Sequence, residues 1–319
     1  MAPIPVSDGY VESDQFDVVH FPTQIAYRTA LPTIYQPHDL QHAHYPQFFS
    51  KAEFESRERL YRAFCVQASY VCVQAEWTKQ DVITHYKIPA EKIVVIPWGS
   101  VFEAYRKSST DQVRAAVLKF DLPESFFLYP AATWQHKNHE VIFRALDILK
   151  REQGISPHVF FTGSSTAYRT TLEQLARGLG ISQQVHFLGF VSPDELQAIF
   201  SAATAMIYPS RFEGFGLPIL EAFHAQLPVL SSNATTLPEV AGDGALYFDP
   251  DSPAELSVLM KTILDKPKLR QELISKGKLK LSLYSFSDTA TSFQALYARA
   301  AALSSQGPRL SREPHQAET

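Results

Sequence analysis

The sequence predicts an α/β protein of two domains, each built on a parallel sheet. Short β-branched or aromatic runs alternate with longer segments of helical periodicity along most of the 319 residues. Most of these runs are apolar at successive positions, as parallel strands buried on both faces should be. Strand, helix, strand at this spacing gives right-handed βαβ units.

In chain order the strand candidates are DVVHFP (17–22), PTIYQPHD (32–39), YVCVQAEW (70–77), KIVVIPWG (92–99), FFLYPAAT (126–133), HVFFTGS (158–164), QVHFLGF (184–190), ATAMIYPS (203–210), LPVLSSN (227–233) and ALYFD (245–249). Helical patterns lie between them. HEVIFRALDILKREQG (139–154) places apolar residues at 142, 143, 146 and 149, and TTLEQLARGLG (170–180), PDELQAIFSAA (193–203) and PAELSVLMKTIL (253–264) follow the same logic. One sheet does not hold so many strands comfortably. The break falls at the polar stretch FEAYRKSSTDQ (102–112). This predicts two Rossmann-like domains, over residues 1–105 and 106–285, with a ligand cleft where they meet. FSDTATSFQALYARAA (286–301) reads as a last helix, and SSQGPRLSREPHQAET (304–319) as a disordered tail without apolar pattern.

Composition narrows the function class. Hydrophobic residues make up 45% of the chain and the net charge is −4, so a general nucleic-acid partner, which needs a basic surface, is not expected. The two cysteines, Cys65 and Cys72, sit among apolar residues and read as buried thiols, because no second pair completes a zinc site. No run of about 18 apolar residues occurs, so no membrane span is expected. The start, MAPIPVSDGY, lacks the regions of a signal peptide, and a cytoplasmic setting follows by default.

The richest stretch is RFEGFGLPILEAF (211–223). Pro218 suits the first position of a helix running to about Ala225, and Gly216 lets the backbone turn sharply ahead of it. The free N–H groups of that helix then point toward Gly214, Phe215 and Gly216, as a phosphate or diphosphate requires. A helix end alone offers an exposed anion only about 0.3–1 kcal/mol, so a cation has to help. Glu213 and Glu221 would repel a phosphate. They fit better as acceptors for neutral hydroxyls on its two sides, a sugar and a ribose, which describes a nucleotide-sugar. The plainer reading is two surface glutamates attracted by the positive helix end.

IYQPHDLQHAHYPQFF (34–49) gathers His38, Asp39, His42 and His44, which could be metal ligands, but Pro37 and Pro46 predict a loop, with no i, i+4 helical zinc motif and no cysteine partner. Asp249-Pro250-Asp251 formally matches a D-x-D metal signature, yet its setting before Ser-Pro reads as a turn leading to a helix cap. No metal is expected at either. KAEFESRERLYRAF (51–64) is amphipathic with both charge signs on its polar face. It covers its own domain or, as the second reading, touches a membrane surface.

E-G-F-G-L-P-x-x-E resembles the E-x7-E motif of the retaining glycosyltransferases of family four, which have the GT-B fold of two Rossmann-like domains with parallel sheets. HFLGFVSPDELQAIFSAATAMIYPSRFEGFGLPILEAFHAQLPVLSSNATTLPEVAGDGALYFDP (186–250) is similar to that family's donor domain almost throughout, and the likeness extends over 110–285, more weakly over parts of 17–105. It implies that Glu213 contacts the donor sugar's hydroxyls, that Glu221 holds the nucleotide ribose, and that the amides of Phe215, Gly216 and Leu217 hold the diphosphate. Lys137, in TWQHKNHE (133–140), matches the family's K-N lysine, where positive charge stabilises the departing diphosphate. Relatives often add an arginine nearby, and here His136 and Ala132 stand instead. Gly189, Phe190 and Val191 match the loop that cups the nucleobase. His38 matches a cleft histidine near the donor sugar, with Asp39 orienting its loop. Glu239 matches a family position that reads as structural.

What the resemblance implies is transfer of a hexose of mannose or glucose type from a donor such as GDP-mannose or UDP-glucose to an acceptor hydroxyl, with retention and without a cofactor. The acceptor would be a glycan or lipid-linked, in polysaccharide, lipopolysaccharide or glycolipid synthesis, with peripheral contact at the inner face of the membrane. The last helix is expected to cross back to the N-terminal domain over 286–303. Because DVVHFP already begins at residue 17, the N-terminal domain is expected to lack its first one or two βα units. The alternative reading is a nucleotide-sugar-binding protein or partner subunit with little activity.

Overall fold

The computed structural model describes residues 3–14, 16–99 and 108–304. Residues 102–107 of the expected junction and the tail from residue 305 lie outside them. The chain divides into two compact units, one running up to Pro97 and resuming at Ser287, the other Trp98–Phe286.

The first unit holds strands β1 (Val19–Phe21), β2 (Thr33–Tyr35), β3 (Tyr70–Val73) and β4 (Ile93–Val95), all parallel and adjacent in sequence order. Its helices are α1 (Tyr10–Ser13), α2 (Gln41–His44), α3 (Lys51–Gln67), α4 (Glu76–Tyr86) and α13 (Phe286–Ser304), the last of which starts on the boundary residue. The period of two along the strands decides what covers each face. Tyr35, Val71 and Val73 point to one side, where Tyr61, Phe64 and Cys65 of α3 and Val82 and Tyr86 of α4 close the core. Ile34 and Cys72 point to the other, against Leu296 and Ala300 of α13. Cys65 and Cys72 are therefore buried free thiols in separate clusters. Desolvation pushes the Cys72 thiol up to about 12. The apolar stripe of α3 is spent on its own sheet, as the first of the two readings expects.

The second unit holds β5 (Phe126–Pro130), β6 (His158–Thr162), β7 (Val185–Gly189), β8 (Ala205–Tyr208), β9 (Val229–Ser232) and β10 (Ala245–Phe248). The parallel sheet runs β10-β9-β8-β5-β6-β7. Of its two central strands, β8 is buried throughout and β5 from Phe126 to Tyr129. Its helices are α5 (Thr110–Phe120), α6 (His139–Gln153), α7 (Tyr168–Gly178), α8 (Pro193–Ala202), α9 (Leu217–His224), α10 (Leu237–Ala241), α11 (Pro253–Asp265) and α12 (Pro267–Leu281). Capping boxes start α5 at Ser109 with Gln112 and α8 at Ser192 with Glu195.

Three local expectations change. The segment 70–77 is strand only to Val73, because Glu76 already opens α4. The histidine-rich segment is not a continuous loop. One turn of helix, α2, forms between its prolines, with the Asp39 carboxylate accepting the Gln41 N–H at 3.0 Å, and a 3₁₀ turn follows at Pro46–Phe48. The helix of the glycine-spaced turn begins at Leu217, so Pro218 is its second residue. A proline is tolerated there too, since an N–H at the second helical position has no intrahelical acceptor to lose.

Candidate active site

In the second sheet the chain builds β5, β6 and β7 outward in one direction, then returns to place β8 on the other side of β5. The junction of β5 and β8 is thus a topological switch point. Loops leaving the carboxyl ends of such strands diverge and leave a crevice, where open α/β sheets bind ligands.

Lys137 follows β5 and Glu213 follows β8, and the structure brings the two together. The Lys137 Nζ donates to Glu213 Oε1 at 2.6 Å, with the side chains 19% and 13% exposed. Burial on its own would raise the Glu213 carboxyl, but Lys137, followed by contributions from Ser210 and His136, holds it below the ordinary glutamate value. The backbones around the pair are fixed independently of it. Tyr129 Oη donates to the Lys137 carbonyl at 2.7 Å, and the Asn138 amide reaches the carbonyls of Pro209 and Pro250 at 3.1 and 2.8 Å. The Arg211 N–H donates to the His136 carbonyl at 2.8 Å, tying the two loops directly.

The turn after Glu213 is held from below by hydroxyls that the sequence reading did not single out. Thr235 Oγ1 accepts the Glu213 N–H at 3.1 Å and pairs with the Glu213 carbonyl at 3.0 Å. Thr236 Oγ1 lies 3.1 Å from the carbonyls of both Glu213 and Phe215. A pair of hydroxyl residues just ahead of LPEVA was the available signal, since such residues favour helix starts. Gly216 caps α9 at φ 106°, and a Cβ there would lie 2.8 Å from Leu237 Cδ2. Phe215 is buried and packs edge-on against Trp98 and Tyr284. Leu217 is the first helical residue, and the Ile219 N–H, two residues on, closes the turn on the Gly216 carbonyl at 3.0 Å.

Glu221, one turn into α9, has no such cation among the described residues. Burial alone pushes its carboxyl up to about 7. Gly189, Phe190 and Val191 close β7: Gly189 adopts φ 73° and its carbonyl accepts the Gly163 N–H at 2.8 Å, Val191 is buried, and Phe190 is 82% exposed. His38 lies in the first unit, just after β2, with φ 63°, a left-handed conformation uncommon outside glycine and asparagine. His139, next to Lys137 and Asn138, is fully buried, and desolvation lowers it to about 3, so it serves as a neutral packing group. Asp249-Pro250-Asp251 is a side-chain-closed turn. Asp249 Oδ1 accepts the Asp251 N–H at 2.8 Å, Asp251 pairs with Arg211, and Ser252 caps α11.

Residues 112–280 match the family model for glycosyl transferases group 1, and residues 3–100 that for glycosyltransferase family 4. The chain belongs to the group 1 glycosyl transferases. This group 1 glycosyl transferase is 26% identical over 271 residues to the O-antigen chain mannosyltransferase B of Escherichia coli, covering 82% of this chain and 71% of that one. It is 28% identical over 296 residues to a serotype-specific mannosyltransferase WbdA of Escherichia coli, covering 89% of this chain but only 34% of the relative's length. Among solved structures, Anabaena Alr3699/HepE in complex with UDP-glucose superposes with a TM-score of 0.73 at 19% identity, over 84% of this chain and 72% of that one. The fold is GT-B, two parallel-sheet α/β units.

Proposed function

We propose that this glycosyl transferase moves a hexose from a nucleoside-diphosphate sugar to an acceptor hydroxyl with retention at the anomeric carbon, in the synthesis of a polysaccharide, lipopolysaccharide or glycolipid. The observation that carries the reading is the Lys137–Glu213 pair at the β5/β8 switch point, beside the open head of α9. A nucleotide-sugar offers both charges of that pair a better partner. Its diphosphate takes the ammonium and the helix N–H groups, and its sugar hydroxyls take the carboxylate.

Each residue then has one task. Lys137 and the amides of Phe215, Gly216 and Leu217 hold the diphosphate and stabilise the charge that grows on it as the bond to the anomeric carbon breaks. Glu213 accepts from hydroxyls of the hexose, Glu221 from those of the ribose, and the Gly189–Val191 segment meets the base. His38 keeps the role that the family resemblance implies, next to the donor sugar. The acceptor oxygen bonds to the anomeric carbon on the face from which the phosphate leaves, and its proton passes to the departing phosphate oxygen. No pair of carboxylates straddling the bond is needed, in contrast with glycosidases. The reaction runs without a resident cofactor or catalytic metal. Both curated relatives are named as mannosyltransferases, which favours a mannose donor. A lipid-linked acceptor would hold the chain peripherally at the inner face of a membrane, and no helix among the described residues is long and apolar enough to cross one.

Calorimetric titration of the purified chain with GDP, UDP, ADP, GDP-mannose and UDP-glucose in metal-free buffer tests the reading. Micromolar binding of one nucleotide, and of its sugar conjugate, is expected. Folded protein that binds none of them would remove it.

A further inference from the structure

The first unit contains a second cluster of chemistry-bearing side chains, which shares no residue with the donor site. His44 is the last residue of α2, while Asp81 and His85 stand four apart on α4 and so share one face of that helix. One potential ligand atom from each lies within 4.8 Å of the other two, and among the described residues this is the one such group of three. Asp81 Oδ1 is 2.7 Å from His44 Nε2 and 3.3 Å from His85 Nε2. The imidazole rings lie 4.9 Å apart, centre to centre.

The carboxylate is the informative member. Its side chain is only 5% exposed, both imidazoles converge on the same oxygen, and Oδ2 is buried with no hydrogen-bond partner. Buried carboxylate oxygens are seldom left bare, and one that is calls for an ion or a role. The histidines, by contrast, are about one-third exposed, so solvent reaches the cluster from their side. Two imidazole nitrogens and one carboxylate, with a fourth direction open to water, form the donor set of a tetrahedral zinc site. In such a site adjacent ligand atoms are about 3.3 Å apart, given metal bonds of about 2.0–2.2 Å. The His85–Asp81 separation already has that length, and small side-chain rotations open the His44–Asp81 contact to it.

We propose that His44, Asp81 and His85 bind one divalent transition-metal ion, zinc by preference. The ion staples the segment after β2 to α4. Since that segment also carries His38 and Asp39, the metal fixes the loop on which they stand. Sequence reading could not see this site, because two of its three ligands stand on a helix from elsewhere in the chain.

The probe is the metal itself on the full chain. After chelator treatment and desalting, titration with Co²⁺ is expected to give visible d–d absorption of tetrahedral intensity that saturates at one ion per chain, and Zn²⁺ is expected to abolish it. A hundredfold excess of Zn²⁺ over its dissociation constant should raise Tm by about 5 °C. The sequence has eleven histidines, so the position is checked with His44→Ala and His85→Ala, each expected to weaken binding by at least about tenfold. Far-UV circular dichroism reports whether they fold, and His85→Gln replaces them where they do not. Folded wild-type chain without the d–d bands, or binding undiminished in the folded variants, overturns the site.

Discussion

Lys137 Nζ lies 2.6 Å from Glu213 Oε1, although the residues are 76 apart in the chain. Neither belongs to a strand. They meet because β5 and β8 are neighbours and each residue lies in the loop that leaves its strand's carboxyl end. In the free chain each ion neutralises the other, so the crevice does not repel an incoming diphosphate. A partly buried pair of this kind is maintained at a desolvation cost that only good geometry offsets. That makes the pair easy to exchange for a ligand carrying both an anion and hydroxyls.

The first prediction follows from the exchange. Glu213→Ala should lower transfer by about 10²–10³ when the carboxylate holds the sugar in the transition state, a loss typical of one preorganised polar contact. Lys137→Ala should weaken binding of the free nucleoside diphosphate, measured by calorimetry. Full activity in the first variant, or unchanged nucleotide affinity in the second, removes that residue from the site.

Stability gives a second prediction, independent of activity. Lys137→Ala leaves the Glu213 carboxylate nearly buried without its cation. At pH 7 the cost should be about 2–3 kcal/mol, at or just below the roughly 3–5 kcal/mol of a fully buried pair, because this one is partly exposed. Wild-type Glu213 titrates below its unfolded value, so its contribution is complete above about pH 4.5 and fades as pH falls through the folded value. In the variant only Ser210 and His136 still oppose burial, so the carboxyl moves up and protonation relieves the penalty. The gap between wild type and variant in urea melts should therefore shrink between pH 7 and pH 5. A gap of constant size would show that the cost does not come from the charge on Glu213.

Gly216 offers a purely steric test. At φ 106° an L-residue pays about 1–2 kcal/mol in backbone strain, and the added Cβ would press on Leu237 Cδ2 at 2.8 Å, in a side chain with no exposed surface to move into. Gly216→Ala should thus destabilise the chain by about 2 kcal/mol and displace the amides at the head of α9, weakening nucleoside diphosphate binding more than tenfold. An alanine variant with native melting and native affinity would mean that the turn is not built as described.

How much of this could be read beforehand depended on whether the determinant was local. The strands were legible because β-branched and aromatic runs such as FFLYP and AMIYP are apolar on both faces, and that pattern has few other uses. By contrast, α12 was not, since it buries little beyond Leu273 and Gly277, and a charged helix without an apolar stripe has no period to detect. Glu213 and Lys137 were each nameable from their own motifs. Their contact was not, because strand order is set by packing across the whole sheet. The same holds for Thr235 and Thr236, whose hydroxyls bond backbone some twenty residues away. The partners of His44 stand on α4, some forty residues along the chain, and nothing local to the histidine-rich segment points to them.

Glu221 carries the last prediction, and its sign is opposite to that of Glu213. Burial pushes its folded value up to about 7, against 4.5 for an ordinary glutamate. Between those values the folded chain binds the extra proton, so stability declines as pH rises from about 4.5 to about 7 and levels off above. Replacing the group by its neutral isostere removes the decline. Glu221→Gln should be more stable than wild type by about 2–3 kcal/mol at pH 8 and nearly equal to it at pH 4.5. Function pulls the other way, since only the ionised carboxylate accepts from both ribose hydroxyls at once. Nucleoside diphosphate affinity in the wild type should accordingly rise with pH through about 7, while in Glu221→Gln it should be weaker and lack that rise. Titrations at pH 6, 7 and 8, paired with urea melts of both chains, separate the two effects. A Glu221→Gln variant that binds as tightly as wild type would take the residue out of the ribose contact, and one no more stable at pH 8 would mean that the carboxyl is not desolvated.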